Sequence, residues 1–156
     1  MASVALASSS TAGSAQTPTP AVTPADLPSP DATQPTATAV DQRHVECIAK
    51  IIMHEAAYEP RSGRVAVAQV IRARIRDGRF AANACDVARQ RGQFFNVDAF
   101  NPPRGAAWDD AVEIATDTLN GAGADVAPGA LYFHASYSPM PGHQRVGQIG
   151  GHVFYR

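Results

Sequence analysis

The first 40 residues of this 156-residue chain contain no lysine, no arginine and no aromatic residue. They are mostly alanine, serine, threonine and proline. Such a composition cannot bury enough apolar surface to offset the entropy lost when a chain becomes ordered. We therefore expect residues 1–40 to be a disordered linker, stiffened locally by its prolines. The remaining residues, 41–156, are enough for one domain with a real core.

The chain also lacks an excess of either charge and any long apolar run. All 13 Lys and Arg residues lie in 41–156, together with every acid except Asp26 and Asp31. A nucleic-acid-binding domain would need a clustered basic face, and a membrane-spanning helix would need about 18 consecutive apolar residues. We therefore expect neither a nucleic-acid partner nor a membrane span.

Cysteine is scarce, with Cys47 and Cys85 as the two representatives. No CxxC pair is present, so the sequence does not predict a structural zinc site. In an exported domain an even pair favours a disulfide. That bond would close a loop of about 38 residues and contribute about 4 kcal/mol in the chain-entropy account. Two buried free thiols are the alternative.

What the chain does have is a strong helical pattern around two acids, in the stretch IIMHEAAYEP. At 100° per residue, the apolar side chains of residues 41–59 fall on one broad arc that also contains Glu55 and Glu59. His54 falls on the opposite side. Pro60 disfavours helical geometry at the residue before it and is predicted to end the helix at Glu59. Burial and the negative end of the helix dipole would both keep the Glu55 carboxyl protonated, as a general acid requires.

A second helix is predicted over residues 63–76, and Arg74 falls among its apolar positions. A buried guanidinium needs a carboxylate partner. Glu59 is the partner we predict, which would make Glu59 a structural acid and leave Glu55 free for chemistry.

The rest of the chain predicts an α+β domain. Residues 86–105 have weak periodicity and are expected to form irregular loop and a short helix, followed by a third helix over 108–119. Residues 129–135 and 151–155 alternate as strands do. We expect them to form a short antiparallel hairpin near the C-terminus of a mainly helical domain.

Several segments resemble, in order and spacing, the SleB/CwlJ-type cell wall hydrolases. They are CIAKIIMHEAAYEP, GRVAVAQVIRARIRDGRF, GQFF, GALYFHA and IGGHVFYR. The resemblance implies a lysozyme-like fold, a peptidoglycan substrate and catalysis by the glutamate before the alanine of HEA, which is Glu55. It departs from the family where Ala57-Tyr58 replaces Arg-Gly, where Ala73 replaces Asn, and where QFFN replaces QFSW.

The resemblance and the cysteines together also predict export. The stretch MASVALASSSTAGSAQ has the small residues of the end of a secretory signal, but it lacks a positive n-region and a long h-region. We expect a monomer in the periplasm or cell envelope, acting on peptidoglycan glycan strands without a cofactor or a metal.

The family's chemistry would make Glu55 the general acid that breaks a glycosidic bond. A lytic transglycosylase needs only this one carboxylate, whereas a muramidase would use a second acid, for which Asp98 and Asp109 are the candidates. Polar and aromatic residues of the later segments are the predicted substrate contacts, although a core role is open for each. They are Gln93, Phe94, Tyr132, His134, His152 and Tyr155.

Two other functions fit parts of the sequence. A zinc-dependent N-acetylmuramoyl-L-alanine amidase could use His134, His143 and His152, although the HExxH pattern is absent because Tyr58 stands at its second histidine position. A non-catalytic wall-binding module on a flexible tether is the third possibility.

Overall fold

The computed structural model describes residues 39–156. The predicted linker, 1–40, lies outside the described residues except for its last two positions. Four helices are followed by three short strands. The helices are α1 (Gln42–Glu55), α2 (Arg61–Asp77), α3 (Ala84–Arg89) and α4 (Ala106–Asn120). The strands are β1 (Tyr132–Ala135), β2 (Arg145–Ile149) and β3 (His152–Tyr155). The predicted α+β class is confirmed.

Helix α1 begins where predicted but ends earlier. Asp41 caps it, because its carboxylate accepts a hydrogen bond from the backbone N–H of Arg43 at 2.9 Å. The last helical residue is Glu55, since Ala56 leaves helical geometry at φ −139°. The prediction that Pro60 ends this helix at Glu59 is therefore wrong. The chain turns four residues sooner, and Pro60 precedes the next helix instead.

Helix α2 starts at Arg61, two residues before the predicted start, because Pro60 occupies its N-cap position with φ −57°. Proline is well suited to the start of a helix, where its missing N–H costs nothing. The helix ends at Asp77, and the next residue, Gly78, caps it with a φ of +79°, the left-handed geometry that glycine adopts without strain. Arg74 is buried on this helix, as predicted.

The disulfide between Cys47 and Cys85 is present and ties α1 to α3, with 5.3 Å between the two Cα atoms. The alternative of two free thiols is thereby excluded. The short helix predicted within the irregular region is α3, which begins slightly before that region. Helix α4 extends one or two residues beyond the predicted 108–119 at each end.

The strands form one antiparallel sheet in the order β1-β3-β2. Phe133 lies opposite Phe154, and Ala135 opposite His152. The pairing predicted between the two alternating segments is confirmed, but β2 is an additional strand within the connection between them. Its pattern is short and is interrupted by Gly147, where the register with β3 shifts.

The core lies between the helices and one face of the sheet. Ile48, Ile51 and Ile52 of α1, Ile71 of α2 and Phe154 of β3 have no more than a trace of exposure. Among the described residues, no helix has the length and apolar character needed to cross a membrane.

Candidate active site

A cleft of about 420 Å³ opens where the end of α1 faces the sheet. Its walls come from α1, from α2, from the loop after α3, and from β1, β3 and the turn that follows β1. The lining residues are Glu55, Arg74, Gln93, Phe94, Phe133, His134, Ala135, Tyr137, Ser138 and His152.

Glu55 is the last residue of α1, so its side chain leaves the helix at the end with the negative pole of the dipole. The predicted burial is only partial, because 27% of the side chain remains exposed in the cleft. Within the described residues, Glu55 is the one carboxylate on the cleft's walls. The cleft therefore offers one acidic group to a bound molecule.

His54 contacts Glu55 directly, with 3.0 Å between His54 Nδ1 and Glu55 Oε1. The prediction that His54 points away from Glu55 is wrong. Its imidazole stacks on the ring of Phe95 at 3.7 Å with an interplanar angle of 13°, and Phe100 meets it edge-on. This stacking holds the imidazole beside the acid, so that one Glu55 oxygen is engaged while the other is free.

Arg74 is 3% exposed, and its Nε donates a hydrogen bond to the carbonyl oxygen of Leu131 at 2.7 Å. The rings of Phe80, Phe94 and Tyr132 surround its guanidinium at 5.0 to 5.5 Å. Burial lowers the pKa of Arg74 to about 10, which leaves the group charged at neutral pH. Aromatic faces thus take the place of the predicted carboxylate partner.

Glu59 does not pair with Arg74, so that prediction is wrong. Its carboxylate instead accepts a hydrogen bond from the backbone N–H of Gly151 at 2.9 Å. A Cβ on Gly150 would overlap this carboxylate, and a Cβ on Gly151 would approach it to 2.8 Å. Glycine is needed at both positions of the turn between β2 and β3 for Glu59 to reach it. Glu59 joins the loop after α1 to the sheet.

His152 lies between Glu59 and the cleft. Its Nδ1 is 3.8 Å from Glu59 Oε1 and is buried without a hydrogen-bond partner among residues 39–156. Its ring packs edge-on against Phe133 at 5.2 Å. The imidazole is thereby held in the wall of the cleft that Glu55 also lines.

Four of the six predicted substrate contacts line the cleft with Glu55: Gln93, Phe94, His134 and His152. The other two do not. Tyr132 packs against His143, Phe80 and the guanidinium of Arg74. Tyr155 is 6% exposed and belongs to the core.

The sequence did not indicate four further lining residues: Phe133, Ala135, Tyr137 and Ser138. Strict alternation along β1 placed Phe133 on the face opposite Tyr132 and His134. The strand is only four residues long and ends at the cleft, so residues of both faces reach it. The GALYFHA segment was the one available signal.

The two candidates for a second acid lie away from Glu55. Asp98 accepts hydrogen bonds from Arg89 at 2.8 and 2.9 Å, which lowers the pKa of that carboxyl. Asp109 sits in the first turn of α4. Neither residue lines the cleft.

The histidines considered for zinc are dispersed. His134 and His152 line the cleft, whereas His143 packs on Tyr132 with 4.8 Å between ring centres. In the part of the chain that the structure describes, no three His, Cys, Asp or Glu side chains come close enough to hold a metal ion.

Comparison with known proteins gives one family and two structures. The profile of a family described as Cell Wall Hydrolase matches residues 58–155. The crystal structure of the catalytic domain of the Bacillus cereus SleB protein is 24% identical with a TM-score of 0.63, and the alignment covers 74% of this chain and 91% of that one. No curated protein matches.

A second solved structure is similar to the same extent. It is the catalytic domain of the germination-specific lytic transglycosylase SleB from Bacillus anthracis. It is 24% identical with a TM-score of 0.64, and the alignment covers 76% of this chain and 98% of that one. At 24% identity, the similarity to these two structures supports the fold alone. The family match begins three residues after Glu55.

Proposed function

This chain belongs to the cell wall hydrolase family, as its resemblance to SleB-type enzymes predicted, and we propose that it cleaves the glycan strand of peptidoglycan as a lytic transglycosylase. The observation that carries the proposal is the cleft with a single carboxylate, Glu55, among its described walls. A hydrolytic muramidase that follows the two-carboxylate pattern would need a second acid facing the first. The B. anthracis relative is itself described as a lytic transglycosylase.

In the proposed reaction Glu55 acts twice. Its carboxyl first gives a proton to the glycosidic oxygen between N-acetylmuramic acid and N-acetylglucosamine, and the bond from that oxygen to C1 breaks. The carboxylate then takes the proton of the C6 hydroxyl on the muramic ring. The C6 oxygen attacks C1, which closes a 1,6-anhydro ring and restores the protonated acid. Atoms and charges balance without a water molecule.

The neighbours of Glu55 fit these two steps. His54 engages one carboxyl oxygen at 3.0 Å, which leaves the other for the substrate. Arg74 places a positive charge in the cleft wall, where three aromatic rings hold its guanidinium. Gln93, His134 and His152 add hydrogen-bonding groups around the same space.

The family assignment and the disulfide support a setting at the cell envelope, because disulfides persist in oxidising compartments. We propose that the domain of residues 41–156 acts there as a monomer, with residues 1–40 as its tether.

Mass spectrometry of the soluble fragments from a digest of purified sacculi tests the reaction. Muramic residues with a 1,6-anhydro end are the expected products. Reducing muramic ends would identify a muramidase, and freed peptides would identify an amidase; either result would overturn the proposal. The digest should also proceed after extended dialysis against EDTA, whereas a zinc amidase would stop.

A further inference from the structure

Two tyrosine side chains are exposed to solvent, one in the turn that follows Glu55 and one in the turn that follows β1. Tyr58 is 103% exposed and Tyr137 is 89% exposed, and within residues 39–156 these are the large hydrophobic side chains that the fold leaves uncovered. A single exposed hydrophobic residue needs no explanation. Two near one site do need an explanation, because Tyr137 lines the cleft and Tyr58 follows Glu55 by three residues.

Tyr58 lies in the short loop that leaves the active-site helix. The backbone N–H of Glu59 donates to the carbonyl oxygen of Ala56 at 3.0 Å, which closes a four-residue turn with Tyr58 as its third residue. The residue before this turn is Glu55, and the turn's last residue, Glu59, is bonded to Gly151. The tyrosine is therefore carried by a turn that is anchored at both ends next to the cleft.

Tyr137 occupies the equivalent place in the turn that follows β1. The backbone N–H of Ser138 donates to the carbonyl oxygen of Ala135 at 2.8 Å, with Tyr137 again as the third residue. The N–H of Ser136 donates to the carbonyl oxygen of Gly151 at 2.8 Å. Tyr137 itself lines the cleft.

Gly151 thus holds both turns, through its N–H on one side and its carbonyl on the other. The two tyrosines are presented by separate turns that share one anchor. This arrangement fixes the backbone beneath each ring while the rings remain free to meet a ligand. A tyrosine offers a flat apolar face and a hydroxyl at a low entropic cost, because it has only two rotatable side-chain bonds.

We propose that Tyr58 and Tyr137 form an aromatic binding site for the sugar rings of the glycan strand, next to the position where Glu55 cuts. The inference rests on the proposed function, since it takes the same strand as its ligand. Tyr58 stands where the SleB/CwlJ-type enzymes typically have glycine. The site would therefore give this chain a contact with the glycan that a glycine cannot make.

Binding can be separated from cleavage by working in the Glu55→Gln background. The probe is peptide-free glycan strands, prepared by treating sacculi with an amidase. Tyr58→Ala and Tyr137→Ala should each weaken binding about three- to tenfold, the loss expected for one aromatic contact, and the double variant should lose more. Tyr58→Phe and Tyr137→Phe, the matched controls, should bind within twofold of their parent. The melting temperature should not change, because neither ring packs against the core.

In the active enzyme the same alanine variants should raise KM and leave kcat unchanged. Unaltered binding of peptide-free strands by both alanine variants would overturn the inference. So would weaker binding seen on intact sacculi but not on peptide-free strands, because the tyrosines would then recognise the peptide stem. The proposed function fails separately, if the wild-type digest lacks anhydro ends, and the binding assay still decides the role of the tyrosines.

Discussion

The two walls of the cleft are built in different ways. The helical wall ends in Glu55, and behind it Ile48, Ile51 and Ile52 are fully buried. The disulfide at Cys47 ties this helix to α3. The sheet wall also reaches the core, through Phe154 of β3, and its edges carry polar contacts such as the hydrogen bonds that Glu59 and Arg74 make to backbone groups.

The packed helical wall carries the catalytic acid, whereas most residues proposed to bind the substrate lie elsewhere in the cleft. Close packing and a covalent bond hold the acid on a rigid element, as catalytic geometry requires. The residues proposed to contact the glycan lie on short β-strands and turns. Substitutions there change the surface without disturbing the core. Ala57 and Tyr58 fall on such a turn. Each wall can therefore be broken by its own kind of substitution.

The largest effect should come from the tip of the helical wall. Glu55→Gln removes the only proton donor of the proposed reaction, and loss of a general acid typically costs about 10²- to 10⁴-fold in rate. Clearing of purified peptidoglycan should fall by that factor while the melting temperature stays near that of the wild type. Asp109→Asn, which changes a carboxylate outside the cleft, should remain active. Near-normal clearing by Glu55→Gln would disprove the assignment.

The disulfide of the helical wall should affect the stability of the protein and not its catalytic rate. Replacing Cys47 and Cys85 together with alanine should lower the free energy of unfolding by about 4 kcal/mol, the loop-closure value for this spacing. Denaturant unfolding measures the loss. Specific activity at a temperature where the variant is still folded should be retained. A loss of activity in the folded variant would show that the disulfide positions Glu55 as well.

The stability of the sheet wall should depend on the contact between Glu59 and the turn at Gly150. Glu59→Ala leaves the Gly151 N–H without its charged acceptor, at a cost of about 1.5–3 kcal/mol. Gly150→Ala introduces a clash with the same carboxylate in addition to backbone strain at φ +57°. It should therefore destabilise the wild type more than it destabilises Glu59→Ala. Gly78→Ala is the control, since its φ is +79° with no atom near the added Cβ.

Denaturant unfolding of the four proteins of this cycle, with the Gly78→Ala pair alongside, gives the coupling energy. The cost of Gly78→Ala should be the same in both backgrounds. Equal costs of Gly150→Ala with and without Glu59 would mean that the carboxylate does not hold the turn.

Much of the helical wall could be predicted from the sequence. Helical periodicity located α1, α2 and α4 and placed Glu55 in about the last turn of the first. The signal is strong because apolar residues recur every three or four positions over many turns. The end of α1 was missed because Glu59 leaves the helix to bond a backbone N–H 92 residues away. No local pattern encodes such a partner.

The sheet wall was less predictable for similar reasons. Strand β2 has five residues and an irregular register, too little alternation to stand out. Arg74 was correctly expected to be buried, but three aromatic rings from separate segments surround it where a carboxylate was expected. Tyr132 and Tyr155 have the aromatic ring and hydroxyl that suit a sugar-binding cleft. Whether a β-strand residue faces the cleft or the core, however, depends on the packing of the whole sheet.

The smallest effect should be found at the far end of α1. The Arg43 side chain and backbone both donate to Asp41 and lower the pKa of this capping carboxyl to about 2, from 3.8. A lowered folded-state pKa stabilises the protein above the unfolded pKa, and this contribution is lost as the pH falls through about 2. Asp41→Asn keeps a capping side chain without the charge. Its melting temperature should lie slightly below that of the wild type at pH 7, and the difference should shrink towards pH 2.

The central claim is that one carboxylate breaks the strand without a water molecule. Digestion of sacculi in water labelled with heavy oxygen tests it directly, with the new chain ends read by mass spectrometry. The account predicts muramic ends that carry no label, because the C6 oxygen of the same sugar closes the ring. Labelled oxygen at C1 of the new muramic ends would contradict it, since water would then have completed the reaction.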